Sequence, residues 1–125
     1  MKQFFLFMLI QGLFVCGLKA QAIIKFDRDT IDVDTVEVTA HPKGTFYFRN
    51  IGNSSLVISG SHGSGRAFAS YYPRNPVGPN DRDSIVFQEE NAIRGEGKFI
   101  VTLTINGNFE DGYKVLYLTG YARKK

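Results

Sequence analysis

An all-β domain is the fold class this sequence predicts, and three observations carry it. Apolar and polar residues alternate at period two through most of the chain after residue 22. Clusters of Asn, Gly, Pro and Ser interrupt that alternation at short intervals. No segment in the same region holds apolar residues at helical spacing for ten or more positions.

The elements follow in order. Ile31 and Val33 alternate with Asp32 and Asp34, after which Val36 and Val38 take up the opposite phase, so a bulge or break near Thr35 is expected. Phe46 and Phe48 share one face of a strand, and Thr45, Tyr47 and Arg49 share the other. Asn50-Ile51-Gly52-Asn53-Ser54-Ser55 is a dense turn signal, and Leu56 and Ile58 resume the alternation beyond it. Residues 46–58 therefore read as a central hairpin, with Phe46, Phe48, Leu56 and Ile58 facing the core. Gly60-Ser61-His62-Gly63-Ser64-Gly65 reads as a loop and residues 68–72 as a short strand. Pro73, Pro76, Gly78 and Pro79 enforce an irregular connection, because proline cannot donate to a ladder. Ile85 and Phe87 mark the next strand. Phe99, Val101, Leu103 and Ile105 alternate cleanly with Ile100, Thr102 and Thr104. Asn106-Gly107-Asn108 signals a reversal, and Val115, Tyr117, Thr119 and Tyr121 oppose Leu116 and Leu118 in the last strand. About seven short strands with frequent turns fit an immunoglobulin-like antiparallel two-sheet sandwich.

The chain of 125 residues has room for one such domain and a targeting segment. Lys2, the apolar stretch from Phe4 to Ile10, and Ala20-Gln21-Ala22 are in the order of a secretory signal peptide. Gln11 and Gly12 interrupt the apolar run well short of the roughly 20 residues that span a bilayer. The expected division is a signal peptide over 1–22 and a single sandwich domain over 23–125, with cleavage after Ala20 or Ala22. Lipid attachment at Cys16 is the alternative, although Val15 stands where a lipobox calls for a small residue. Cys16 is the only cysteine, so the processed chain would have no disulfide. The formal charge of +3 falls to +1 once Lys2 and Lys19 leave with the leader. That near-neutral balance argues against a nucleic-acid partner.

Several segments, taken together, resemble the secreted bacterial family known as domain of unknown function 1573. Its members are common in Bacteroidetes and similar to immunoglobulin-like ciliary and major-sperm-protein-like domains. The resemblance rests on Phe48-Arg49-Asn50-Ile51-Gly52-Asn53 with Leu56-Val57-Ile58, on Tyr72-Pro73 with Asn75-Pro76-Val77, on Gly97-Lys98-Phe99 with Thr102-Leu103-Thr104-Ile105-Asn106, and on Leu116-Tyr117-Leu118-Thr119-Gly120. It covers roughly residues 46–122. Many relatives carry Cys-Gly-Cys where this chain has Gly63-Ser64-Gly65-Arg66-Ala67, so no thiol, metal or disulfide role carries over.

Reactive constellations are sparse. His62 lies near Ser61 and Ser64, but the spacing of a nucleophile elbow and the helix that follows it are missing. The same glycines lack the Lys-Ser/Thr of a phosphate cradle. Asp27, Asp29, Asp32 and Asp34 could offer hard oxygen ligands to calcium, yet the glycine and glutamate of an EF-hand are missing. Charges that deter pairing at an edge strand account for them equally. Neither His41 nor His62 has a cysteine or second histidine at zinc spacing.

The candidate binding residues are Arg66, Phe68, Tyr71, Tyr72 and Arg74, around the Gly-rich and Pro-rich loops. Exposed, they would offer a platform to a sugar or peptide; buried, they are corner packing. The expectation is an exported module, periplasmic or extracellular, that is not an enzyme and needs no cofactor. Its partner would be an envelope protein or glycan. A small exported hydrolase or metal-dependent enzyme is the alternative, and His62 with Asp81 or Glu96 would have to converge for it.

Overall fold

Two four-stranded sheets face each other in the computed structural model, which describes residues 20–89 and 95–124. Most of the expected leader, Cys16 included, lies outside the described residues. The strands are β1 (Ile24–Phe26), β2 (Thr30–Glu37), β3 (Lys43–Asn50), β4 (Ile58–Gly63), β5 (Ala67–Tyr71), β6 (Arg82–Glu89), β7 (Gly97–Gly107) and β8 (Tyr113–Arg123). One sheet has the order β1-β3-β6-β5 and the other β2-β8-β7-β4. No helix among the described residues is long and apolar enough to cross a membrane.

Period-two patterning explains the core. Phe46, Phe48, Ile85 and Phe87 point inward from the first sheet, and Leu103, Ile105, Leu116 and Leu118 from the second. All eight are fully buried, as is Leu56. Burying each such side chain contributes about 1.5–3 kcal/mol. Phe46 and Phe87 pack with ring centroids 6.2 Å apart, and Phe26 caps Phe48 at 5.6 Å.

The expected sandwich is present, with eight strands and one parallel strand pair among the described residues. β2 runs alongside β8 with Thr30 opposite Tyr117 and Glu37 opposite Arg123. Alternation is the same for both strand directions, which is why the pattern alone could not reveal this pairing. The phase change near Thr35 is a bulge between Asp32 and Thr35. Asp34 takes a left-handed φ of 64° there, and its N–H donates to Asp32 Oδ1 at 2.7 Å. Aspartate tolerates that conformation because its short side chain satisfies the local backbone.

Three expectations need correction. Residues 46–58 are not a hairpin: β3 pairs with β1 and β6, whereas β4 pairs with β7 in the opposite sheet. All four side chains expected in the core are buried, but the connection between them crosses the sandwich. Leu56 forms an isolated bridge to Val77 on the way, with hydrogen bonds of 2.8 Å in both directions. The Gly-rich loop is shorter than expected, because the chain stays in β4 through Gly63 and turns only at residues 64–66. Gly63 is required by proximity, since a Cβ there would fall on the Ala67 carbonyl oxygen. The reversal signal at Asn106-Gly107-Asn108 also acts later. Asn106 still pairs with Tyr113, and the turn occupies residues 108–112.

Asn50, at the end of β3, has a fully buried side chain. Its Nδ2 donates to Ser54 O at 2.8 Å and to Val77 O at 2.9 Å. Its Oδ1 accepts from Gly52 N at 3.0 Å and Ile23 N at 3.3 Å. One carboxamide thus satisfies backbone groups from three separate segments. Replacing Asn50 with Ala leaves these groups without their partner, and such losses cost more than the bonds contribute net. Asn50→Ala is expected to destabilise the domain by about 3 kcal/mol, which lowers the melting temperature by about 15 °C. Thermal unfolding followed by circular dichroism measures this, and an unchanged melting temperature contradicts the role given to Asn50.

Candidate functional site

The loop of residues 72–81 and the ends of β5 and β6 enclose a surface cleft of about 300 Å³. Its walls are Tyr71, Pro73, Arg74, Asn75, Pro76, Val77, Asp81, Arg82 and Asp83. The loop is held from beneath. Val77 bridges Leu56, Asn50 N donates to Asp81 O at 3.0 Å, and Asn80 N donates to Asn50 O at 2.7 Å. Asp81 N closes a tight turn onto Gly78 O at 3.0 Å, with Asn80 at a left-handed φ of 69°. Asparagine is among the few non-glycine residues that accept that conformation readily.

Ordered polar contacts line the cleft. The Arg74 guanidinium lies 4.1 Å from the centroid of the Tyr72 ring, and Nη1 donates to the Tyr72 hydroxyl at 2.6 Å. The Tyr71 hydroxyl donates to Asp83 Oδ1 at 3.1 Å, and that oxygen also accepts from Ser84 N at 2.7 Å. Arg82 Nη2 pairs with Asp27 Oδ2 at 2.9 Å; both side chains are half exposed, so the pair contributes at most about 1 kcal/mol. Two arginines and two aspartates therefore meet around one cavity, with formal charges in balance. A register shift between Ala69 and Tyr71 sets Tyr71 opposite Val86, which carries it to the end of the strand beside Asp83.

Of the five residues expected at a binding platform, three gather. Tyr71 and Arg74 line the cleft, and Tyr72 supports Arg74 from a half-buried position packed on the core. Phe68 lies outward on β5 opposite Gln88, and Arg66 occupies the turn before that strand, so neither lines the cleft. The sequence reading missed Arg82 and Asp83, and considered Asp81 only as a partner of His62 rather than of this cleft. Their signal was the Asp-Arg-Asp run between a proline-rich loop and a strand, but alternating charge at a strand mouth is an ordinary solvated pattern. A second exposed aromatic set, Tyr113, Tyr117 and Tyr121, stands on the outer face of the other sheet together with Ile100.

The remaining candidates are dispersed. Asp27 pairs with Arg82, Asp29 accepts from the Thr30 hydroxyl, and Asp32 serves the bulge. No three His, Cys, Asp or Glu side chains converge among the described residues. His62 lies on β4 opposite Thr104, and Ser64 Oγ accepts from Thr102 N at 3.0 Å, extending the ladder. Asp81 belongs to the cleft, and Glu96 Oε1 accepts from Lys124 N at 3.3 Å.

The geometry defines an immunoglobulin-like two-sheet sandwich with a polar cleft built on its loops. A family model described as "Protein of unknown function (DUF1573)" matches residues 24–122, and the chain belongs to that family. No curated protein matches. Among solved structures, PapD-like domain 7 of human CEP192 is similar with a TM-score of 0.61 at 10% identity, covering 86% of this chain and 90% of that one. A protein of unknown function from Porphyromonas gingivalis W83 is similar at 0.67 and 12% identity, over 84% of this chain and 50% of that one. The secreted serine protease VesC from Vibrio cholerae is similar at 0.60 and 16% identity, over 80% of this chain and 23% of that one. The chain thus spans half the length of the second and about a quarter of the third. At these identities the likeness shows the fold alone.

One group in the cleft has a shifted titration. The Asp83 carboxylate accepts the Tyr71 O–H and repels a phenolate, which pushes the Tyr71 phenol above its ordinary value of 10.0. A phenol raised in the folded state contributes stability below its unfolded value, and that contribution is lost as pH rises through the folded one. Tyr71 is expected to ionise at higher pH than it does in Asp83→Asn, where the neutral amide removes the repulsion. Ultraviolet difference titration against a Tyr71→Phe control reads this, and identical curves for the parent and Asp83→Asn contradict it.

Proposed function

We propose that this protein is an exported, non-catalytic recognition module of the cell envelope that binds a polar partner through the cleft of residues 71–83. The observation that carries this reading is the ordered convergence of Arg74, Tyr71, Asp81 and Asp83 on one open cavity. Arg74 is preorganised by its stacking and hydrogen bond to Tyr72, so a ligand would bear less of the cost of ordering it. Tyr and Arg also supply much of the binding energy at interfaces. The non-catalytic part rests on the scatter of His62, Ser64 and Glu96, which among the described residues are not brought together as nucleophile, base and orienting group. Export rests on the order of charge, apolar core and small residues over 1–22.

A pull-down of the processed domain from envelope extracts, with crosslinking, tests the reading. Arg74→Ala and Asp81→Ala are each expected to lower recovery of the bound protein or glycan about tenfold, a loss of roughly 1.4 kcal/mol. Phe68→Ala, outside the cleft, is expected to leave recovery unchanged. Equal capture by all four proteins places recognition elsewhere on the surface.

A further inference from the structure

The segment just before β1 is part of the fold. Gln21 N donates to Asn53 Oδ1 at 2.7 Å, and Asn53 N donates back to Gln21 O at 3.0 Å. Ile51 N donates to Ile23 O at 2.9 Å. Ala22 is buried and makes an isolated parallel bridge to Phe109, which ties this edge to the opposite sheet. Gly52 has an ordinary negative-φ backbone, so its conformation does not call for glycine. The approach of the chain does: a Cβ at Gly52 would fall on Gln21 O and lie 2.7 Å from Ile23 N. Ala20, one residue earlier, is exposed.

We infer that the mature protein begins at Gln21, the leader being removed between Ala20 and Gln21. This inference rests on the export reading above. Small-residue spacing alone favours the other cut, because Ala20 and Ala22 occupy the third and first positions before it. The fold reverses that preference, because cleavage after Ala22 discards a buried residue and both hydrogen bonds between Gln21 and Asn53. Cleavage after Ala20 puts the ammonium on exposed Gln21, where Asn53 Oδ1 accepts from it. The step is hydrolysis by a signal peptidase: water adds across the Ala20–Gln21 amide, leaving a carboxylate on Ala20 and the amine on Gln21.

The test is to export the full precursor in a bacterial host and measure the intact mass and amino-terminal peptide of the processed protein. The expected species is residues 21–125; cyclisation of the terminal glutamine with loss of ammonia counts as the same start. A start at Ile23, or at a lipidated Cys16, overturns the inference while leaving export intact. An uncleaved chain retained inside the cell overturns both. Amide exchange on the processed protein gives an independent reading. The Asn53 amide is expected to exchange at least about tenfold more slowly than an unbonded loop amide, because Gln21 O accepts from it. Exchange at the unprotected rate contradicts the docking of Gln21 and overturns the inference.

Discussion

The hydrogen bonds of the Asn50 carboxamide constrain the surrounding end of the sandwich. Nδ2 satisfies Ser54 O and Val77 O, while Oδ1 satisfies Gly52 N and Ile23 N. The backbone of the same residue adds bonds to Asp81 O and from Asn80 N. The crossover after β3, the approach to β1 and the loop over the cleft therefore share one anchor. A carboxamide suits the position because it offers two donors and an acceptor without charge. An aliphatic residue of similar size would leave the backbone groups unpaired in a site that excludes water.

That anchor links the core to the candidate site. Phe46 and Phe48 fix β3 against the opposite sheet, and Asn50 follows on the same inward-facing parity. Val77 is held by both Leu56 and Asn50, so the proline-rich loop has its midpoint pinned and its outer residues open to solvent. Arg74 then projects from a braced loop rather than a free one, beside Tyr71 at the end of β5. This reduces the entropy that a partner must remove on binding.

Close backbone approach is the second theme. Gly52 admits Gln21, Gly63 admits the Ala67 carbonyl, and Gly120 lies where a Cβ would meet Asp34 O at 2.8 Å and Phe99 Cζ at 2.7 Å. None of the three has a positive φ. Each marks a place where two segments come nearer than a side chain allows. Read along the chain, Gly63 belonged to a loop signal and Gly120 to a strand-end motif. Their shared reason lies in neighbours distant in sequence.

Alternation was enough to set Phe46 with Phe48, Ile85 with Phe87, Leu103 with Ile105 and Leu116 with Leu118 on shared strand faces, because side chains two apart point the same way. The structure brings all eight into one core. The phase change at Thr35 likewise announced its bulge, since an inserted residue flips the pattern locally. What alternation does not encode is the partner of each strand. Hence residues 46–58 read as a hairpin although β3 and β4 belong to opposite sheets, and the parallel pairing of β2 with β8 was invisible. The cleft was legible in part for the same reason. Tyr71, Tyr72 and Arg74 lie together in sequence, whereas Asp81 and Asp83 join them only after the loop closes and Asn50 fastens its end. The sequence by itself determined most of the strands, the alternation of their faces and the family resemblance. Only the tertiary structure decided which strands meet and which charges share the cleft, because those contacts form between segments far apart in the chain.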